Sequence, residues 1–137
     1  MKYGKLILEK KEYVAIKRLL NLTNDYKDST QKVSLTKFAK EMESAEILDD
    51  DKMPDDVVRI NSEITIATKD GWSYTFQVVL PAESNNAQKK ISLLLPMGAA
   101  VLGYAKNDSI SWTFPGGDKD ITILDVKQNN IIKLNIA

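Results

Sequence analysis

The sequence predicts an α+β protein in which helices come first and a sheet follows. Two observations carry this. Up to about residue 47 the apolar residues recur at three- and four-residue spacing, the period of a helix with one buried face. From Val57 onward they alternate with polar residues, and the runs are punctuated by Pro and Gly, as strands and their turns are. A chain of 137 residues has room for one compact domain with a small appendage. The expected organisation is a short antiparallel helical hairpin over 1–52. A mostly antiparallel sheet with one short helix follows over 53–137.

The elements follow in order. Leu6-Ile7-Leu8 reads as a short strand or an apolar lead-in. Tyr13, Ile16, Leu19, Leu20 and Thr23 share one face of a helix from about Lys10 to Leu22, with Lys11, Glu12, Lys17 and Arg18 on the outside. Residues 23–33 are polar and rich in turn formers, so they read as a connection. Ser34 fits the N-cap of a second helix to about Ile47, carrying Leu35, Phe38, Met42 and Ala45 inward. At 1.5 Å per residue each helix is only ~20 Å long, so the hairpin must lean on the rest of the chain.

Val57 to Ile60 opens the β region, and Ile64 and Ile66 alternate with polar neighbours. Asp70-Gly71 marks a hairpin turn. Trp72, Tyr74, Phe76 and Val78 then share one face of a half-buried strand. After Pro81 and a loop around Glu83 to Asn86, the apolar run Ile91 to Leu95 predicts a central strand. Pro96 starts a short helix to Leu102, with Gly103 as its C′ residue. Ser109 to Phe114 and Ile121 to Val126 pair across the turn Pro115-Gly116-Gly117. The tail, with Ile131, Ile132, Leu134 and Ile136, adds an edge strand or docks loosely.

Composition excludes several functions. With no Cys and no His there is no disulfide framework, no Cys/His zinc site, no thiolate nucleophile and no Ser-His-Asp triad. Basic and acidic groups balance at 19 each, which argues against a general nucleic-acid binder. The balance conceals an asymmetry: residues 1–48 carry a net charge of +3 and residues 49–70 a net charge of −4. Asp49, Asp50, Asp51, Asp55 and Asp56 dominate the second stretch. They read either as a solvated linker or as an acidic contact patch for a basic partner. No apolar run approaches the ~18 residues of a membrane span or a signal-peptide core. A cytoplasmic protein is the expectation.

One constellation resembles a known family. It comprises Ile91-Ser92, Pro96, Gly98-Ala99-Ala100-Val101-Leu102-Gly103, Asn107-Asp108 and Pro115-Gly116. In this order and spacing it resembles the C-terminal domain of the Gre transcript-cleavage factors. Met53-Pro54-Asp55-Asp56-Val57-Val58, with Asn61-Ser62, is similar to the regulator of nucleoside diphosphate kinase (Rnk) group within that superfamily. The resemblance spans roughly Leu6 to Val126. Ala99 stands where Gre proteins usually carry a basic residue. Asn107 stands where they carry Gly, and Asn also adopts the left-handed turn conformation.

The resemblance implies an FKBP-like fold for the C-terminal half and a non-enzymatic role. The partner would be bacterial RNA polymerase, bound beside its secondary channel in competition with other channel-binding factors. No cofactor, no sequence-specific contact with nucleic acid and no membrane partner are expected, and the oligomeric state is left open. In Gre factors the loop at Pro96 contacts polymerase, with an acid where Leu94 stands here. Leu94, Pro96, Met97 and Gly98 are therefore candidate partner-binding residues, together with Asp49, Asp50 and Asp51. The other reading of the Pro96 segment is a tight helix packed on the sheet. The alternative function is a transcript-cleavage factor using acids at the hairpin tip, where Asp25 and Asp28 stand three residues apart and can share a hard cation. The reading the residues favour is an ordinary polar loop with turn-forming Asp, since Lys27 lies between the two acids and the helices are short. No catalytic residue and no metal ligand of the chain's own is assigned. Trp72, Tyr74, Phe76, Trp112 and Phe114 read as core, with an aromatic pocket as the other possibility.

Overall fold

A computed structural model describes residues 2–22, 29–114 and 117–128. The hairpin tip with Asp25 and Asp28, the turn residues Pro115 and Gly116, and the apolar tail lie outside the described residues. The chain opens with strand β1 (Ile7–Glu9), which runs straight into helix α1 (Lys10–Leu22), as the periodicity predicts. Glu9 caps that helix: its carboxylate accepts from the backbone N–H groups of Lys11 at 2.8 Å and Glu12 at 3.2 Å. Two donors of the first turn, which have no partner within a helix, are satisfied this way.

Helix α2 spans Ser29–Met42, so it begins and ends earlier than the sequence suggests. Ser34 is not its N-cap. The residue is buried inside the helix, and its hydroxyl accepts from the Trp112 indole N–H at 2.6 Å. The stretch assigned to the end of this helix is a strand, β2 (Glu46–Leu48), which pairs in parallel with β1, Ile7 opposite Glu46. Glu12 is also not on an outer face: it is buried, held by Arg59, which stands 47 positions later in the sequence.

Five further strands form one sheet: β3 (Glu63–Ala67), β4 (Ser73–Val79), β5 (Lys90–Ser92), β6 (Ser109–Phe114) and β7 (Gly117–Lys127). Their order is β5-β4-β3-β7-β6, antiparallel throughout except for the parallel pair β4–β5. Asp70-Gly71 sits in the β3–β4 turn, where Gly71 takes φ +93° and Thr68 N–H bonds the Trp72 carbonyl at 2.8 Å. A left-handed residue there matches the strands' right-handed twist. Asn107 takes φ +74°, the conformation Asn tolerates at a position where Gly is usual.

Two strand expectations change. Val57 to Ile60 forms no strand, only a bridge from Val57 to Ala105, although Val57, Val58 and Ile60 are buried. Ile91 to Leu95 is not a central strand. Three residues, Lys90–Ser92, form the sheet edge, and the rest turns into helix α3 (Pro96–Val101). The run is apolar because Leu93 drops into the core, Ile91 and Leu94 pack against its margin, and Leu95 faces outward. Gly103 follows α3 with φ +85°, as a C′ glycine does.

The larger of two buried clusters among the described residues joins the sheet to the helices; the smaller gathers Ile7, Val57 and Ala105. In the larger, Phe76, Ile64, Ile66, Trp112, Ile121 and Ile123 from the sheet meet Ala99, Ala100 and Val101 of α3. Leu6, Ile16, Leu35, Phe38 and Met42 of the N-terminal segment join the same cluster. Three contacts fix the direction of α2. Glu41 meets the Tyr104 hydroxyl, Lys37 the Ser111 carbonyl and Ser34 the Trp112 indole. The helix therefore runs opposite to β6, and its start points to the β6–β7 turn. Short helices of this length gain most of their stability from such packing.

Candidate interaction groove

The helices cover the inner face of the sheet incompletely. What they leave open is a groove of about 550 Å³ at the end that carries the β3–β4 turn. Its floor is Ile66, Ile91 and Ile121; one wall is Trp72, and the other is Leu95, Pro96 and Met97 at the start of α3. Thr68, Asp70, Asn86 and Lys119 form a polar rim. Trp72 and Leu95 are 45% and 41% exposed, so two large apolar side chains face water across this opening. The volume falls within the range of sites that take small molecules or protein side chains, and the mixture of apolar walls and few polar groups is typical of them.

Local structure positions each wall. Trp72 stacks on Tyr74 with ring centroids 5.9 Å apart, and Tyr74 on Phe76 at 5.6 Å, so the exposed indole is anchored to the core through an aromatic ladder. Pro96 occupies the first turn of α3, where its missing N–H removes no hydrogen bond. Gly98, the third residue of α3, lies against β5: a Cβ there would stand 2.3 Å from the Ser92 carbonyl oxygen. The glycine lets α3 approach the sheet closely enough to set Pro96 and Met97 on the groove wall. On the rim, Thr68 Oγ1 and the Trp72 N–H donate to Asp70. With Lys119 nearby, these bonds hold its carboxyl below the ordinary value.

The structure thus brings Pro96 and Met97 together in one groove with Trp72. Gly98 lies beneath them, buried. Leu94 is half-buried against the core margin, and its backbone N–H bonds Ser92 Oγ at 3.1 Å. Asp49, Asp50 and Asp51 are not part of this groove. Asp50 to Lys52 forms a 3-10 turn, where Asp50 accepts from Arg59 at 2.8 Å. The same guanidinium reaches inward to Glu12 at 2.6 Å, and Glu12 also accepts from the Ile60 N–H at 2.8 Å. Burial pushes the Glu12 carboxyl up, and the Arg59 charge opposes the shift. Of the aromatic set expected in the core, Phe76 and Trp112 are buried there, whereas Trp72 is 45% exposed and lines the groove, because it precedes the strand at the β3–β4 turn. The side chain of Phe114 lies outside the described residues, and Leu95 was not a site candidate. Trp72 at the start of an alternating aromatic run, next to a turn, was the available signal. Among the described residues no group of three or more Asp or Glu is arranged to hold a metal ion, and no helix is long and apolar enough to cross a membrane.

Comparison with known proteins assigns the groove-bearing half. The C-terminal family profile of the transcription elongation factors GreA and GreB matches residues 53–128, which include every groove residue. The chain belongs to this GreA/GreB C-terminal family. It is 36% identical over 78 residues to the regulator of nucleoside diphosphate kinase of Escherichia coli K12, covering 56% of this chain and 57% of that protein. It is also 36% identical over 84 residues to the transcription elongation factor GreA of Chloroflexus aurantiacus, covering 61% and 54%. These matches span little more than half the length of the curated relatives. A solved GreA/GreB elongation factor from Nitrosomonas europaea superimposes with a TM-score of 0.72 at 26% identity, covering 91% of this chain and 99% of that one. Both sequence relatives were anticipated by the residues quoted for the Gre and Rnk resemblance, and the chain shares the α+β fold of the solved relative.

Proposed function

We propose that this protein is a non-enzymatic regulator of transcription that binds bacterial RNA polymerase at its secondary channel. There it competes with other factors that use the channel. The groove of Trp72, Leu95, Pro96 and Met97 is the docking site in this reading. The observation that carries it is the coincidence of the family match with the opening: the segment that defines the family also builds an exposed apolar groove. The aromatic anchor and the charged rim are the parts an interface hot spot uses. The chain's relatives are named as elongation factors or as a regulator of another enzyme. That is the class of activity a docking module without reactive side chains can support.

The test is binding to purified core RNA polymerase, followed by Trp fluorescence and by pull-down. Binding at micromolar concentration is expected, with displacement by excess GreA. Met97→Glu places a charge on the groove wall and weakens binding by at least about tenfold, the equivalent of about 1.4 kcal/mol. Absence of micromolar binding by the wild-type chain overturns the proposal. Equal affinity of Met97→Glu moves the docking site elsewhere.

A further inference from the structure

Strand β6 is an open edge. Among the described residues it has a strand neighbour on one side only, β7. Phe114 and Gly117 close their hairpin, so backbone groups of alternate β6 residues face β7, and those of Ser109, Ser111 and Thr113 face outward. The six residues of β6 carry no charge and no proline. An edge of that length and composition is a template for another strand unless something blocks it. A second copy could add to it by the simplest symmetry. Two β6 strands related by a two-fold axis through Ser111 would pair Ser111 with Ser111, and Ser109 with Thr113.

One residue stands at that axis. Lys37, exposed on α2, lays its ammonium over the Trp112 ring, 4.4 Å from the centroid, and donates to the Ser111 carbonyl at 2.7 Å. The central outward acceptor of the edge is therefore occupied. In the two-fold pair both ammonium groups would also meet at the axis, where like charges repel. We propose that Lys37 is a gatekeeper: it keeps this chain from joining a second copy edge to edge through β6. The ring holds the charge in place from below, and the carbonyl directs it.

The test is sedimentation velocity of the full chain across the micromolar range, with near-UV circular dichroism as the check on folding. Wild type and Lys37→Arg sediment as monomers. Lys37→Met keeps the apolar stem over Trp112, removes the donor and the charge, and self-associates at least about tenfold more tightly. Ser111→Pro in the Lys37→Met background restores the monomer, because an outward N–H on an edge strand is dispensable to the sheet and required by the added strand. The proposal is overturned if Lys37→Met sediments as wild type does. It is equally overturned if the Lys37→Met dimer survives Ser111→Pro, or if wild type is already a dimer that Ser111→Pro dissolves. Should Lys37→Met lose its near-UV signal, Lys37→Gln is the variant measured in its place, with the same expected and refuting outcomes.

Discussion

Gly98→Ala tests the close packing of α3 on β5 that holds Pro96 and Met97 on the groove wall. The added methyl would stand 2.3 Å from the Ser92 carbonyl oxygen and 2.9 Å from the Leu93 Cα. Both obstacles are backbone, so no side chain can swing aside. An ordinary contact begins at 3.4 Å, so α3 must retreat from β5 by about 1 Å. Overpacking of this kind costs about 3 kcal/mol at the upper end of its range. Alanine returns up to about 1 kcal/mol through its better helix propensity. The net loss is about 2 kcal/mol. For a chain of this size that is a fall in Tm of roughly 6–8 °C. Urea and thermal unfolding followed by Trp emission measure it. A Gly98→Ala variant as stable as wild type would refute the reasoning, since the close approach of α3 to the sheet would then not depend on the missing side chain. The displaced helix carries Pro96 and Met97, so polymerase affinity should fall even at temperatures where the variant is folded.

Arg59→Met leaves Glu12, whose side chain is 4% exposed, buried without its cation. The expected loss is about 3–5 kcal/mol at pH 7, read by urea unfolding. The folded-state pKa of Glu12 already lies above its ordinary value of 4.5, so its contribution to stability is full below that value and declines as pH rises through the folded-state value. Without the guanidinium that pKa rises further, so the deficit of Arg59→Met must shrink as pH falls from 7 toward 4.5; a deficit independent of pH would disprove the assignment. Ser34→Ala leaves the buried Trp112 indole N–H without its acceptor and costs about 1–3 kcal/mol, with a change in the near-UV Trp band. Loss of helix signal with no change at Trp112 would instead revive the N-cap reading.

What the sequence made legible was local. The Asp70-Gly71 turn, the alternation through Trp72 to Val78 and the short helix between Pro96 and Gly103 each depend on residues within one turn or one strand. The misplaced elements depend on distant partners. Glu46-Ile47-Leu48 continues the helical spacing of the residues before it, and only pairing with residues 7–9 makes it a strand. Ile91 to Leu95 looked central because an apolar run reports burial without reporting its source, and Leu93 is buried by α3 rather than by strands on both sides. Glu12 reads as solvated until Arg59 is brought to it. In the groove, Pro96 and Met97 were legible through family resemblance. Trp72 was legible only as a member of an aromatic run expected in the core, and Leu95 not at all, because the exposure of both depends on how distant elements cover the sheet.

The groove and the β6 edge are separable although they share a neighbourhood. Trp112 pairs with Lys119 across the β6–β7 register, so the indole has Lys37 over its ring and Lys119 opposite it on the next strand. Lys119 belongs to the groove rim, and Lys37 bonds the outer edge. Met97→Glu acts on the inner face and should alter polymerase binding without altering sedimentation. Lys37→Met acts at the edge and should do the reverse unless a dimer buries the rim. A dimer paired through Ser111 extends the sheet laterally and leaves the β3–β4 end open, because β7 and β3 intervene between β6 and Trp72. Polymerase affinity per chain should therefore survive dimerisation. If the Lys37→Met dimer lost it, the copies would have to be joined through the groove rather than through β6.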